Sequence, residues 1–369
     1  MEFMIKVMLI AGARPNFMKI APIARAFDSR ADHIAYKIVH TGQHYDANMS
    51  DIFFEELGIR NPDYHLGAGG GSHARQTAKI MVEFEAVCEQ ERPDLVMVVG
   101  DVNSTLACSV VAKKMHIKVA HVEAGLRSFD LDMPEEINRM VTDAISDIFF
   151  VTEEQGMTNL KKEGKPESCI HFVGHVMIDN LFYQLSQLEK MDSSVLKHND
   201  YKSGHTEYGV VTLHRPSNVD DKPTLIRIFK TLDQISKRLP LIFPIHPRTQ
   251  KNMEAFGIQP PETITLTPPL SYMAFLNLWK DAKLALTDSG GLQEETTALG
   301  IPCLTIRENT ERPITITQGT NELVGTSEHK IFDAFEKIMA GNWRTGQKPD
   351  LWDGRASDRI TDILLAHYH

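Results

Sequence analysis

The segment VMVVGDVNSTLACSVVAKKMHIKVAHVEAGLRSFDLDMPEEINR, residues 96–139, decides how the rest of the chain is read. Two short apolar runs, VMVVG and KVAHV, flank a helical stretch, and each ends in a carboxylate, Asp101 and Glu123. Runs this continuously apolar belong to parallel strands covered on both faces. In an open parallel sheet the ligand crevice lies at the carboxyl ends of the strands, so Asp101 and Glu123 are expected on one rim, with Glu135 reaching it from the following loop. Taken singly, each acid has a structural explanation; Asp101 precedes a helix and could simply cap it. Three acids on one rim favour proton transfer, because like charges gathered in a cleft cost energy and need a use.

The same grammar extends in both directions. Residues 5–10 form a strand running into AGARPNFMK, where Gly12 permits a tight turn, Pro15 suits a helix start, and Arg14 and Lys19 sit where a helix amino terminus favours an anion. Residues 36–40 form the next strand and end in TGQHYD, which brings Gln43 and His44 to the rim; a lone loop histidine is weak evidence by itself. GAGGGSHARQT is either a loop near substrate or a linker. Strands follow at 148–152 and 170–174. From 179 to 207 the chain turns polar, which places a domain boundary there.

The second half repeats the pattern, with strands at 208–213, 241–245, 263–267, 283–287 and 302–306. The expected architecture is α/β, two Rossmann-like doubly wound domains facing a central cleft, residues 1–178 joined by a terminal helix at 354–369, and residues 179–353. DSGGLQEE opens a helix directly after a strand, so Ser289, Gly290 and Gly291 can offer free N–H groups to a diphosphate, and Glu295 can accept from ribose hydroxyls. His214 and Arg215 in LHRP, His246 in HPRT and Arg312 in TERP end other strands of the same half. Tyr272 and Phe275 begin a helix, where a ring could stack on a base, although an aromatic at helical spacing is as readily core.

Composition bounds the function. A chain of 369 residues with 42% hydrophobic and 24% charged residues is an ordinary globular protein long enough for two cores. A net charge of -10 argues against nucleic acid as a partner. Cys88, Cys108, Cys169 and Cys303 are scattered with no zinc spacing, which points to a reduced, cytoplasmic setting, and no run is long enough for a membrane span. Asp130-Leu131-Asp132 is the one metal-like pattern and reads as loop polarity, so neither a metal nor a cofactor is expected.

In order, GARPN-x-x-K, TGQH, GD-x-x-ST, HVEAGLRS, MPEEINR, LHRP, HPRT, TDSGG-x-QEE and TERP resemble the non-hydrolysing UDP-N-acetylglucosamine 2-epimerases over roughly residues 5 to 325. The resemblance implies a GT-B-like pair of Rossmann domains, commonly a homodimer, that interconverts UDP-GlcNAc and UDP-ManNAc through elimination of UDP to 2-acetamidoglucal. It implies catalytic roles for Asp101, Glu123, Glu135 and His214, active-site places for Arg14, Lys19 and His44, and a UDP grip by Arg14, Ser289, Gly290 and Arg312 with Glu295 on the ribose. Where many relatives carry H-R-R-E, this chain has His214-Arg215-Pro216-Ser217, and Ile314 follows TERP in place of an acid. These departures point away from activation by a second UDP-GlcNAc and keep open a related sugar such as a 2,3-diacetamido uronic acid. A GT-B glycosyltransferase is the alternative from another class.

Overall fold

The computed structural model describes residues 4–42 and 51–368, without the side chains of residues 51, 52 and 193. The chain divides into two compact units, Met1–Tyr183 with Asp350–His369, and Gln184–Pro349. The first carries β1 (Ile5–Ala11), β2 (Ile34–His40), β3 (Tyr64–His65), β4 (Leu95–Val99), β5 (Lys118–Val122), β6 (Ile148–Val151) and β7 (Ile170–Phe172). The second carries β8 (Gly209–Thr212), β9 (Leu241–Pro244), β10 (Ile264–Thr267), β11 (Leu284–Thr287), β12 (Cys303–Thr305) and β13 (Asn321–Leu323). Among the described residues the sheets have the orders β3-β2-β1-β4-β5-β6-β7 and β10-β9-β8-β11-β12-β13, and every pairing is parallel.

Each sheet therefore reverses direction of growth once, between β1 and β4 and between β8 and β11. The doubly wound Rossmann-like reading holds for both units, and those two reversal points are where such sheets take ligands.

The two-sided burial has a simple cause. Along β1, Val7 and Leu9 join Phe17, Phe27 and Phe150 on one face, while Met8 and Ile10 join Ile80, Phe84 and Cys108 on the other. Side chains alternate faces with period two, so a strand with apolar residues at every position must be covered twice. Strand β4 divides in the same way, Leu95, Met97 and Val99 against Val96 and Val98.

The carboxy-terminal helix Ala356–Tyr368 returns to the first unit, where Ala356, Ile360 and Leu364 enter the core of Phe17 and Phe27. Its start is held by Asp179, whose buried carboxylate accepts from the N–H of Ala356 at 3.1 Å and from the N–H and hydroxyl of Ser357, both at 2.7 Å. This is why the division between units falls inside the helix Val176–Lys190 and not at its beginning. Replacing Asp179 with Ala leaves those buried donors unpaired, and denaturant unfolding is expected to show a loss of about 2 kcal/mol; an unchanged midpoint contradicts the anchoring role.

Candidate active site

At the first reversal point, the turn after β1 is fixed by Asn16, which accepts from the Ala13 N–H at 2.9 Å and donates to the Val99 carbonyl at 3.3 Å. That bond ties the GARPN turn to the end of β4. It also starts the helix Arg14–Asp28, on which Lys19 reaches across to Glu123, Nζ to Oε2 2.5 Å. Glu123 is 3% exposed and has φ of +69°, a left-handed conformation that costs a residue with a side chain and persists only where its surroundings hold it. Gly100 lies against this pair: a Cβ there would stand 3.0 Å from Lys19 Nζ and 3.8 Å from Glu123 Oε2.

Asp101, next in sequence, is part-exposed and is held by Arg139 through Nη2 at 2.7 Å and Nε at 3.0 Å. Arg139 also grips buried Glu136 at 2.6 Å. Burial works against charge on Glu136, yet the N–H groups of Ser128 and Phe129 and the Arg139 guanidinium bring it below the usual carboxylate range. Two sequence expectations are corrected here. Glu135 lies on the first turn of the helix Pro134–Ile145, exposed, and not in a loop. Nor are Asp101 and Glu123 a bare cluster of like charges, since each has its own cation. Arg14 does lie at the helix start as expected, its guanidinium 4.9 Å above the Phe53 ring. His44 falls outside the described residues.

At the second reversal point, Asp288 follows β11 and is fully buried. It accepts from the N–H of His214 and of Arg215, the latter at 2.9 Å, from Asn218 at 3.0 Å and from His214 Nδ1 at 3.0 Å. Burial opposes its charge, but His214 and these N–H groups hold it below the ordinary range. A carboxylate bonded to Nδ1 leaves Nε2 of His214 for a ligand. His246 lies beside it, ring centroids 5.6 Å apart, and caps the helix Pro247–Phe256 by accepting the Arg248 N–H. Burial and the neighbouring His214 lower its affinity for a proton.

Ser289 stands at the start of the helix Gly290–Leu299 without a side-chain cap bond, and the first-turn N–H groups of a helix have no intrahelical partners. A Cβ on Gly291 would meet no atom within 4 Å, whereas one on Gly290 would stand 3.1 Å from Glu311. Arg215 lies 3.5 Å from the same Glu311, and Arg312, nearly buried, bonds Glu294 through Nε. Glu295 sits in the second helical turn, buried, and accepts from the Tyr272 hydroxyl at 2.6 Å. Phe275 follows on the same short helix as Tyr272, half-buried.

Sequence reasoning passed over Asp288, Arg139 and Asn16. Asp288 had a signal, an acid directly after an apolar strand as in VVGD, but the glycines that follow drew the reading toward backbone donors. The Asp130 carboxylate accepts the Asp132 N–H at 3.0 Å, a local turn. Among the described residues no group of three or more His, Cys, Asp or Glu is arranged to hold a metal ion, and no helix is long and apolar enough to cross a membrane.

The family model of UDP-N-acetylglucosamine 2-epimerase matches residues 26–365. The chain belongs to this family. It is 43% identical over 365 residues to the UDP-N-acetylglucosamine 2-epimerase of Methanocaldococcus jannaschii, covering 97% of this chain and 98% of that protein. It is 38% identical over 368 residues to the UDP-2,3-diacetamido-2,3-dideoxy-D-glucuronate 2-epimerase of Pseudomonas aeruginosa, covering 97% and 99%. The crystal structure of the Methanocaldococcus jannaschii UDP-GlcNAc 2-epimerase in complex with UDP-GlcNAc and UDP superposes with a TM-score of 0.87 at 42% identity, covering 98% of this chain and all of that one. Members of this family are isomerases, and so is this chain.

Burial raises Glu295 to about 7, the Tyr272 bond opposing and the Glu294 charge adding. A carboxyl raised on folding contributes stability that is present below its free value of 4.5 and is lost as pH rises through about 7. Glu295→Gln is therefore expected to gain melting temperature relative to the parent as pH rises from about 4.5 to about 7, and to hold that gain above it; a pH-independent difference contradicts this environment.

Proposed function

We propose that this protein interconverts UDP-GlcNAc and UDP-ManNAc by anti-elimination of UDP followed by re-addition, supplying ManNAc-type sugars for surface polysaccharide. The observation that carries the reading is the pairing of functional ends: carboxylates clasped by cations at the first reversal point, and an Asp288–His214 pair beside a glycine-rich helix amino terminus at the second.

The C2 proton of a pyranose has no neighbouring carbonyl to acidify it, so direct removal faces a very high barrier. Breaking C1–O first changes this. As the electron pair leaves with UDP, positive charge develops at C1, C2–H becomes acidic, and a carboxylate takes the proton while the C–H pair forms the C1–C2 double bond of 2-acetamidoglucal. Protonation of C2 from the other face and return of the β-phosphate oxygen to C1 give the epimer.

Asp101, Glu123 and Glu135 are the acids proposed for this traffic, with Lys19 holding Glu123 in place. The helix starting at Gly290, with Ser289 and Gly291, His214, Arg215, His246 and Arg312 would steady the diphosphate while it is detached. Arg14 and His44 are assigned to the same substrate, Glu295 to its ribose and Phe275 to its base. The chemistry requires that a sugar held by its UDP at the second reversal point be presented to the acids at the first. No cofactor enters these steps.

A 2,3-diacetamido uronic acid form of the substrate is the second reading, favoured by the 38% identity to the Pseudomonas aeruginosa enzyme that carries that name. Four unpaired cysteines suit the cytoplasm. Exposed Ile137, Met140 and Val141 on one helix, with Phe129 and Leu131 before it, leave an apolar face that a second copy would cover. Sedimentation equilibrium is expected to give the mass of two chains, and a monomer mass opposes the homodimer.

Incubation with each UDP-sugar in D2O tests the reaction itself. Deuterium at C2 accompanied by the manno epimer is expected with UDP-GlcNAc or its diacetamido uronate counterpart; no exchange with either removes the proposal. Glu123→Gln is expected to lower kcat by about a hundredfold or more while UDP still binds, and undiminished turnover refutes its assignment.

A further inference from the structure

Near the two rim acids lies a buried pair that the chemistry above does not use. His121 and Asp143 are both fully buried and 2.7 Å apart, Nδ1 to Oδ1. The other ring nitrogen, Nε2, is 2.9 Å from the Gly100 carbonyl oxygen. The second carboxylate oxygen of Asp143 accepts from the Gly125 N–H at 3.0 Å and from Arg127 at 2.7 Å. Burial opposes charge on Asp143, but His121 and Arg127 hold it below the usual range, so it is an acceptor only. A carbonyl is an acceptor only as well. The ring satisfies both neighbours solely by donating from both nitrogens, as an imidazolium.

The two loops joined in this way are the ones that carry the acids. Gly100 immediately precedes Asp101, and Gly125 follows Glu123 by one residue. In the second loop Glu123 holds φ of +69°, a conformation that costs a residue with a side chain, whereas φ of +66° at Gly100 and +79° at Gly125 is open to glycine. At Gly125 a Cβ would come within 2.3 Å of the Gly156 carbonyl oxygen. A strained residue keeps its conformation only where the surroundings over-determine it, and here a single buried His–Asp pair bonds both loops.

We infer that the His121–Asp143 pair is a positioning device that sets the separation of Asp101 from Glu123, with His121 a doubly protonated cation clamping the Gly100 carbonyl. The inference rests on the epimerase reading for its effect on turnover but not for its effect on the histidine. It predicts that loss of the clamp shifts one acid relative to the other and leaves the nucleotide grip of the second unit alone. A displacement near 1 Å costs about a hundredfold in rate.

The test uses the full-length protein. In the unmutated chain, nitrogen-15 NMR of the histidine rings is expected to show both N–H protons on His121 at neutral pH, slow to exchange with solvent; a ring with one bare nitrogen overturns the inference. His121→Gln, which keeps one donor, and Asp143→Asn are expected to lower kcat by about a hundredfold with KM and UDP affinity within about twofold. Unchanged kcat in a folded variant overturns it. If the variants do not fold, the NMR measurement decides. If the parent protein turns over no UDP-sugar, the functional reading fails while the NMR outcome still judges the clamp.

Discussion

The contact between Lys19 and Glu123 is the constraint on which the amino-terminal unit turns. A carboxylate 3% exposed must be paired, and the cation that pairs it comes from the helix after β1, across the reversal point of the sheet. Around that bond, Gly100 has φ of +66°, which favours glycine, and lies against Lys19 Nζ, while Asn16 ties the helix start to the end of β4. Asp101 is the counterpart that is part-exposed, held by Arg139. The unit thus offers two acids of different exposure, which suits a reaction that must move a proton off one face of a carbon and onto the other.

The second unit uses the same location in its sheet differently. Asp288 is spent inside the protein, on the backbone of His214 and Arg215 and on the His214 ring, so what this strand end offers outward is the other imidazole nitrogen of His214 and the amino end of a helix. Arg312 and Arg215 are each engaged with an acid, Glu294 and Glu311. Burial works against charge on Glu311, yet Arg307 and then Arg312 lower it to about 2, so it stays ionised as a fixed partner. The basic side chains are therefore held in place before any ligand arrives, which lowers the ordering cost of gripping a departing diphosphate.

Much of this was legible in the sequence because several strands are apolar on both faces and end beside a candidate residue. The runs read at 5–10 and 283–287 appear as β1 and β11 to within a residue, and Asp101, Glu123, His214 and Ser289 all lie just past strand ends. What escaped is physically intelligible. Strands β3 and β13 have two and three residues and only partial burial, too short for any periodicity to show. Glu135 looked like a loop acid because Pro134 was not read as a helix start. Arg139, His121 and Asp143 are polar groups inside the protein whose meaning depends on long-range pairing, which spacing along a chain does not reveal.

The central claim is that C1–O breaks and re-forms while the sugar is held. It is tested most directly by following UDP-GlcNAc labelled with oxygen-18 in the bond between C1 and the β-phosphorus. Cleavage frees that oxygen to rotate among the β-phosphate positions, so the label is expected to scramble from bridging to non-bridging sites as the epimer forms. Epimer appearing with the label wholly retained in the bridge would contradict the account.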